Sequence, residues 1–321
     1  MTIKKVSIAQ IDLKNDQFQL SYLTDRSRLT ESIRKVGLLH PVILRLVSST
    51  DCYQIVSGFQ RVRSCIELNM ERIDGVIYEP DELPDWKALL LSVHQTATSR
   101  NLNLMEKSLA LRKLGETGEI KKAELVSDIM PLLGLEPSEK VLGNVVRLAE
   151  LTDGVKAYIV ENGVALGNAV RFLEFSPADQ RQLLELILPL KLGTNRLREF
   201  LTLIDEICRR DDIAVRKIVD RQTEAILAAP NIPGPQKAGR IRGRLREKRF
   251  PRTVASEREL RANLKQLKLP PELSLTPPPF FEGGRLKLEL TFEKVEELKR
   301  IIKKLADISD RKELKEILGK L

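Results

Sequence analysis

The chain has 321 residues, of which 42% are hydrophobic and 31% charged, and its formal net charge is +9. This length allows two or three domains, and the composition favours packed cores under a well-solvated surface. The opening stretch MTIKKVSIAQIDLKNDQ is polar, and no apolar run approaches the roughly 18 residues that span a bilayer. Three cysteines without CxxC spacing and two histidines offer no zinc constellation. We therefore predict a soluble, cytoplasmic protein that does not engage a membrane.

Residues 1–92 mix strand and helix signals, which predicts a small α+β domain. Short β-rich runs predict strands at residues 42–47, 52–56 and 75–80. Amphipathic patterns predict helices at residues 30–36, closed by Gly37, and at residues 59–69.

The rest of the chain divides by pattern into three parts. Residues 93–229 repeat apolar side chains at three- and four-residue spacing, which predicts an all-helical domain. The stretch AAPNIPGP then predicts the start of a basic, proline-containing linker at residues 230–283. Residues 284–321 open on RLKLELTF, an alternating pattern that predicts a strand, and two charged amphipathic helices are expected to follow.

Most of the excess positive charge lies in the predicted linker. Residues 237–265 hold eleven Lys or Arg and three Glu, which is a local charge of +8. Guanidinium groups suit phosphate oxygens, so this segment predicts nucleic-acid contact, with a solvated flexible linker as the alternative. The expected DNA-contacting arginines are Arg240, Arg242, Arg244 and Arg246.

The stretch IVSGFQRVRSC, residues 55–65, predicts a strand that ends in Ser-Gly and leads into a helix. The first turn of such a helix presents unpaired backbone N–H groups and attracts anions. Gly58 lies at the turn, and Arg63 is expected to lean back toward the same anion, because helical side chains tilt toward the N-terminus. Arg61 is expected to point to a different side. The alternative is an ordinary glycine before an amphipathic helix.

The order of LTESIRKVGLLHPVILR, YQIVSGFQRVRSC and RIDGVIY resembles the N-terminal domain of the ParB/sulfiredoxin-like superfamily. Residues 58–63, GFQRVR, match the glycine and two arginines of the family's Gly-Glu-Arg-Arg-x-Arg box. Leu102, Asn103 and Glu106 resemble the Leu-Asn-x-x-Glu segment that begins its helical domain. The resemblance implies an α+β ParB/sulfiredoxin-like domain, an all-α helix-turn-helix domain and a small strand-plus-helices tail.

This resemblance implies CTP with magnesium as a ligand, held by Gly58, Arg61 and Arg63. Two departures bear on its turnover. Phe59 replaces the box glutamate, and Gln95, Thr96 and Ser99 occupy the expected Glu-Asn-x-x-Arg motif, with Arg100 one place late. The groups expected to hold a metal and position water are missing, so we expect nucleotide binding without efficient hydrolysis.

In the helical domain, the resemblance implies a helix-turn-helix with its first helix at residues 123–130 and its recognition helix at residues 139–150. Pro131 and an extra residue or two before Gly134 depart from the compact turn of the family. The expected buried stripe is Val141, Leu142, Val145 and Leu148. Side chains outside that stripe can bond phosphates or base edges, with an ordinary helical hairpin as the alternative. The expected DNA-binding residues here are Ser138, as the N-cap, with Lys140 and Asn144.

Together these patterns predict a ParB-like DNA-binding protein of chromosome or plasmid partition, or of nucleoid organisation, gated by a nucleotide. Residues 284–321 are expected to form a homodimer, because the tail resembles ParB dimerisation domains and carries an apolar stripe. A partition ATPase is an implied partner, and a nucleoid-associated location is implied. A ParB-like transcription regulator without nucleotide chemistry is one alternative. Another is a phosphotransferase or nuclease, which needs a carboxylate base, for which Glu67 is the nearest.

Overall fold

The computed structural model describes residues 2–47, 51–266, 269–276 and 286–309. These residues form two compact units. The first unit runs to Leu201 and includes Ala214–Lys217, and the second holds Thr202–Ile213 and the described residues from Ile218 onward. Within these ranges no helix combines the length and apolar character needed to cross a bilayer.

The first unit begins with a five-stranded sheet whose strand order is β1-β5-β3-β4-β2. The central strand β3 pairs antiparallel with β4 and parallel with β5, while β1 lies antiparallel to β5 and β2 parallel to β4. The strands are β1 Thr2–Ser7, β2 Ile11–Asp12, β3 Val42–Leu46, β4 Tyr53–Ser57 and β5 Arg72–Tyr78. The three predicted strands are confirmed as β3, β4 and β5.

The two outer strands were not predicted. Strand β2 has only two residues, and β1 carries the adjacent lysines Lys4 and Lys5 where a period-two apolar pattern is needed to identify a strand. Both lie at the edges of the sheet, where charged residues and short length prevent further strand pairing.

Three helices accompany the sheet: α1 Ser27–Val36, α2 Phe59–Glu67 and α3 Asp85–Ser99. Both predicted helices are confirmed as α1 and α2, and Gly37 ends α1 with a φ of 77°. A buried hydrogen bond from Thr30 Oγ1 to Ser64 Oγ, at 2.9 Å, joins α1 to α2. Helix α3 continues through residue 92, so the chain has no break at the predicted domain boundary.

The helical part of the first unit shares one apolar core with the sheet. Buried side chains from Val6 and Leu44 through Leu111 to Val145 belong to a single cluster. The helices are α4 Leu104–Glu116, α5 Lys122–Glu124, α6 Met130–Leu132, α7 Glu139–Arg147, α8 Asp153–Glu161, α9 Leu166–Ala169 and α10 Pro177–Ile187. Helix α11, Thr194–Asp211, follows them, so the helical prediction for this region is confirmed.

The prediction of a linker at residues 230–283 was wrong, because much of this segment is folded. After α12 Val215–Ile218 and α13 Arg221–Ala228, the chain forms α14 Gly234–Arg249 and α15 Pro251–Gln266. Helix α14 buries Ala238, Ile241 and Leu245 at helical spacing. With so few apolar residues among many arginines, the amphipathic pattern of α14 is weak in the sequence. The abundant Arg and Lys nevertheless favour a helix, because both have high helix propensity.

The tail pairs two short strands, β6 Leu273–Thr276 and β7 Lys287–Leu290, and ends with α16 Val295–Ser309. The strand predicted in RLKLELTF is confirmed as β7, but its antiparallel partner β6 falls within the predicted linker. Leu273, Ile301 and Ile308 form a small core between the hairpin and α16. The second helix predicted after α16, like residues 277–285, lies outside the described residues.

Candidate anion pocket and candidate nucleic-acid interface

A pocket of about 440 Å³ opens at the start of α2. Its walls come from the loop at residues 20–25, from the β4–α2 junction at residues 57–61, and from one face of α3. The α3 face contributes Ser92, Gln95, Thr96 and Ser99. We call this cavity the Gly58 pocket, because Gly58 lies where strand β4 turns into α2.

Gly58 has a backbone conformation and surroundings that exclude a side chain. Its φ is +102°, and an added Cβ would lie 2.9 Å from Val42 Cγ1 and 3.0 Å from Arg61 Nη2. The first N–H groups of α2 have no intrahelical acceptor and lie at the positive end of the helix dipole. The turn therefore presents a positive, donor-rich surface to the pocket.

The Arg61 side chain lines the pocket and is fixed by the chain itself. Its Nη1 donates to the carbonyl oxygens of His40, at 3.0 Å, and Pro41, at 2.8 Å. Burial lowers the pKa of the Arg61 guanidinium, with the buried Cys65 acting in the opposite direction. Arginine nevertheless stays protonated in proteins, so the pocket has a positioned positive charge.

The expected orientation of the two arginines was wrong. Arg63 Nη2 donates to Gln19 Oε1 at 2.7 Å, and Arg63 does not line the pocket. Residues two apart on a helix differ by roughly 200° around its axis, so the two side chains leave in opposite directions. Because Gly58 has no side chain, Arg61 can fold over it, whereas Arg63 extends to the loop that holds Gln19.

The pocket also contains one carboxylate, which the sequence did not predict, and two buried side-chain amide oxygens. Asp25 is the one carboxylate among the described lining residues, and it accepts from the Ser27 N–H and Oγ–H, each at 2.9 Å. These hydrogen bonds lower the pKa of the Asp25 carboxyl. Gln60 Oε1 and Gln95 Oε1 are buried and have no hydrogen-bond partner within the described chain. The Asp-x-Ser spacing is a turn signal that could have identified the loop.

Arg100 is held by a carboxylate at the start of α4. Its Nη1 and Nη2 each lie 2.7 Å from an oxygen of Glu106, which is fully buried. Glu106 Oε1 also accepts from the Tyr22 N–H, and Asn103 forms a capping box with Glu106 while donating to the Tyr22 carbonyl. The Leu-Asn-x-x-Glu segment therefore ties α4 to the pocket loop, a role that the sequence reasoning missed.

No metal centre accompanies these groups in the part of the chain that the structure describes. No cluster of three or more His, Cys, Asp or Glu residues is placed to hold an ion there.

The predicted helix-turn-helix segment begins with an irregular helical run. Helices α5 and α6 are joined by a π-helical turn, Leu125–Ile129, so the run extends from Lys122 to Leu132. Pro131 follows this turn and has no N–H to donate, which a wider hydrogen-bonding pattern accommodates. Gly134 then adopts a φ of +64° before the chain enters the loop toward α7.

Helix α7 occupies the position predicted for the recognition helix. Leu142 and Val145 are buried, and Leu148 is buried in the 3₁₀ turn that follows, whereas Val141 is only half-buried. Ser138 is the N-cap residue, but its side chain makes no capping hydrogen bond. Outside the buried stripe, Lys140 is exposed and Asn144 is half-buried.

The four predicted arginines of the basic segment do not share one surface. Successive even positions on α14 are roughly 200° apart, so Arg240 and Arg244 project on one side and Arg242 and Arg246 on another. Arg246 Nη2 lies 3.2 Å from Glu257 Oε1 on α15. A flexible chain could present all four to one DNA backbone, but this helix cannot.

Arg244 belongs to a cluster around Asp220, which caps α13. Arg244 Nη2 lies 2.6 Å and Lys248 Nζ 3.0 Å from Asp220 Oδ2, while the Thr223 N–H donates to Oδ1 at 2.9 Å. Partial burial raises the pKa of the Asp220 carboxyl, but the hydrogen bonds from Thr223, Lys248 and Arg244 outweigh it and hold the pKa well below its usual range. Arg244 is therefore engaged within the second unit.

Comparisons with known proteins agree with the resemblance. Residues 1–92 match the family model described as the ParB N-terminal domain. A probable chromosome-partitioning protein ParB of Pseudomonas putida is 23% identical over 141 residues, 44% of this chain and 45% of that protein. The chromosome-partitioning protein ParB of Caulobacter vibrioides is 27% identical over 146 residues, 45% of each chain. A nucleoid occlusion protein of Listeria monocytogenes is 23% identical over 169 residues, 52% of this chain and 55% of that protein.

The chain spans about half the length of the curated relatives it matches. Among solved structures, a truncated Caulobacter crescentus ParB complexed with CTP-gamma-S is 25% identical and covers 57% of this chain and 99% of its own, with a TM-score of 0.27. The same protein complexed to the centromeric parS site is 24% identical and covers 62% and 97%, with a TM-score of 0.37. Residues 1–92 are similar to the ParB N-terminal domain, and helices and a small two-stranded tail follow them in this chain.

Proposed function

We propose that this ParB-like chain is a DNA-binding protein of chromosome or plasmid partition, or of nucleoid organisation, and that a nucleotide in the Gly58 pocket regulates it. The observation that carries this proposal is the positive turn at Gly58, with Arg61 fixed beside it, inside the matched ParB N-terminal domain. The partition and nucleoid-occlusion names of the relatives support the biological role.

CTP is the nucleotide that the resemblance implies, and the pocket chemistry suits a phosphate ligand. Its volume, about 440 Å³, lies within the range of roughly 300–1,000 Å³ found for small-molecule sites. The first-turn N–H groups after Gly58 and the Arg61 guanidinium would hold phosphate oxygens. Arg63 joins them only after its hydrogen bond to Gln19 is broken. In this proposal, the negative charge of the bound triphosphate is what regulates DNA binding.

Binding without efficient hydrolysis is the expected behaviour. Asp25 accepts two hydrogen bonds from Ser27, and Glu67 lies outside the pocket lining with its Oε2 3.8 Å from Arg26 Nη2. A phosphotransferase or nuclease needs a carboxylate that can accept a proton beside the reacting phosphate. The arrangement of carboxylates therefore gives no support to an enzymatic role.

DNA recognition is assigned to α7, with additional contacts from α14. Lys140 and Asn144 lie outside the buried stripe of α7, where they can meet base edges and phosphates, with Ser138 beside them at the helix start. On α14, Arg240 and Arg242 are the more exposed of the four arginines. They project on different sides of the helix, so they are assigned to separate phosphate contacts.

The tail is proposed to form a homodimer. On α16, Val295 is 59% and Ile302 57% exposed, and Leu288 on the fully exposed strand β7 is 40% exposed. Apolar side chains left in solvent on both a helix and a strand favour burial against a second copy. Sedimentation velocity on the full-length chain tests this, and a monomer at tens of micromolar contradicts it. A partition ATPase remains the proposed protein partner.

The central experiment measures DNA binding with and without nucleotide. Fluorescence anisotropy of labelled duplexes selected from a random pool is measured in CTP, in ATP and without nucleotide. We expect sequence-preferring binding whose affinity or lifetime changes with CTP. Unchanged DNA binding, together with no heat of CTP binding, would support a ParB-like transcription regulator instead. Absence of any DNA binding would contradict both roles.

A further inference from the structure

The two walls of the Gly58 pocket have opposite hydrogen-bonding character. The α2 wall offers N–H groups and the Arg61 guanidinium, which are donors. On the α3 wall, the hydroxyl groups of Ser92, Thr96 and Ser99 already donate to the carbonyl oxygens of Phe18, Ser92 and Thr96. Those hydroxyls therefore offer a ligand only their lone pairs, so the α3 wall is a surface of acceptors.

Two buried amide oxygens are further acceptors in the pocket, one on each wall. Gln95 Oε1 on α3 and Gln60 Oε1 in the first turn of α2 are buried, line the pocket, and accept no hydrogen bond from the described residues. A buried acceptor without a donor is energetically costly, and a ligand carrying N–H or O–H groups removes that cost on binding. Both oxygens thus indicate ligand groups that donate hydrogen bonds.

The donor set does not fit the magnesium ion that the resemblance implies. Protein sites for Mg²⁺ usually contribute one or two carboxylates beside the substrate phosphates. Described lining residues include one carboxylate, Asp25, and both of its oxygens already accept hydrogen bonds from Ser27. The α3 wall itself offers uncharged oxygens, and the positive charge that meets an anion comes from Arg61.

We infer that the Gly58 pocket binds its nucleotide without a divalent cation, with the phosphates against α2 and the N–H and O–H groups of the nucleoside against the acceptor wall of α3. This inference rests on the proposed nucleotide function and specifies how that site recognises its ligand. Gln95 on α3 is a neutral lining residue, and a carboxylate in its place would add a negative charge to the pocket that attracts a divalent cation.

Calorimetric titration of the full-length protein tests the inference directly. CTP is titrated in excess EDTA and then in excess magnesium chloride, and inorganic tripolyphosphate is titrated in EDTA. We expect CTP to bind in EDTA at least as tightly as in magnesium, because Mg²⁺ competes for the triphosphate oxygens. Tripolyphosphate lacks the nucleoside donors and should bind at least about tenfold more weakly.

Each result of this titration is decisive. Tenfold or greater tightening of CTP binding by magnesium overturns the metal-independent site while leaving the nucleotide function intact. Equal binding of tripolyphosphate and CTP overturns the role of the α3 wall. No binding of CTP under either condition refutes the proposed nucleotide function itself, which separates that failure from the failure of the inference.

The substitution Gln95→Glu adds a negative charge to the pocket and leaves the shape of the side chain nearly unchanged. In EDTA, the added negative charge should weaken CTP binding by about tenfold or more through repulsion of the phosphates. Magnesium should restore much of that loss, so the variant acquires a metal dependence that the parent chain lacks. Gln10→Glu, an exposed position outside the pocket lining, makes the same charge change as a control. Gln95→Glu binding CTP as the parent does in both conditions would contradict the inference.

Discussion

The guanidinium groups of Arg61 in the Gly58 pocket and of Arg244 on α14 are held by different kinds of hydrogen-bond acceptor. Arg61 donates to two backbone carbonyls, which carry no net charge. Arg244 meets the carboxylate of Asp220, which it shares with Lys248. A guanidinium held by carbonyls keeps its charge for an incoming anion, whereas one held by a carboxylate must first break that pair. The density of arginine in a sequence is therefore a poorer guide to an anion site than the contacts that each guanidinium already makes.

Arg100 offers the strongest test of this comparison within the first unit, because its partner Glu106 is fully buried. Arg100→Ala leaves that carboxylate without its cation, and we expect a loss of about 3 kcal/mol in the free energy of unfolding, measured by urea denaturation. The control is Arg112→Ala, which removes an exposed partner of Glu116 at 3.8 Å and should cost less than about 1 kcal/mol. Similar losses from the two variants would contradict the structural role assigned to Arg100.

Arg61→Ala should remove the charge that the pocket keeps available. Losing a charge-assisted hydrogen bond costs about 1.5–3 kcal/mol, so CTP affinity measured by calorimetry should fall roughly 10- to 150-fold. Arg63→Ala is the matched control on the same helix and should change CTP affinity much less, because Arg63 is bonded to Gln19. A larger loss for Arg63→Ala would mean that the arginines exchange places when the ligand binds.

On α14, the comparison predicts that the two pairs of arginines behave differently toward DNA. Replacing Arg240 and Arg242 with Ala should weaken binding to all duplexes and reduce the slope of log K against log salt by about 0.9 for each phosphate that is no longer neutralised. Replacing Arg244 and Arg246 should change that slope less, because both are less exposed than Arg240 and Arg242 and lie in ion pairs with Asp220 and Glu257. Anisotropy titrations over a range of salt concentrations distinguish these outcomes, and equal slopes for the two double variants would contradict the assignment.

The Asp220 cluster predicts a small acid dependence of stability. Its folded pKa is depressed, so its contribution is present above the ordinary Asp pKa, about 3.9, and is lost as the pH falls below that value. Because the Asp220 side chain is 34% exposed and solvent screens its ion pairs, we expect about 1 kcal/mol or less. Thermal unfolding of the parent and of Asp220→Asn at pH 7 and pH 3 measures it, and the difference between them should shrink at pH 3. A difference that grows in acid would show that the Asp220 carboxylate does not stabilise the fold.

Local signals in the sequence were enough to place Gly58 and the helix that follows it. A strand ending in Ser-Gly before an amphipathic helix predicts this turn directly, and local patterns likewise identified α1 and the three inner strands β3, β4 and β5. The direction of Arg61 was not predictable, because the carbonyl groups of His40 and Pro41 that hold it come from a distant part of the chain.

The basic segment was misread as a linker for a related reason. Helix α14 is identified by three buried residues, Ala238, Ile241 and Leu245, whose importance depends on the helices that pack over them. Asp220 lies more than twenty residues before Arg244, so their pairing could not be read from spacing along the chain. Contacts between distant residues decide which charges remain available.

The π-helical turn Leu125–Ile129 has a consequence for aligning this chain with its relatives. Bonding from residue i to residue i+5 places one more residue in the turn than an α-helix holds, while the flanking helical segments continue. An extra residue is therefore absorbed inside the helical run, upstream of Pro131, and not in the loop that precedes Ser138. In a sequence comparison, a one-residue gap should therefore be allowed within residues 125–129 before one is placed in the loop that leads to α7.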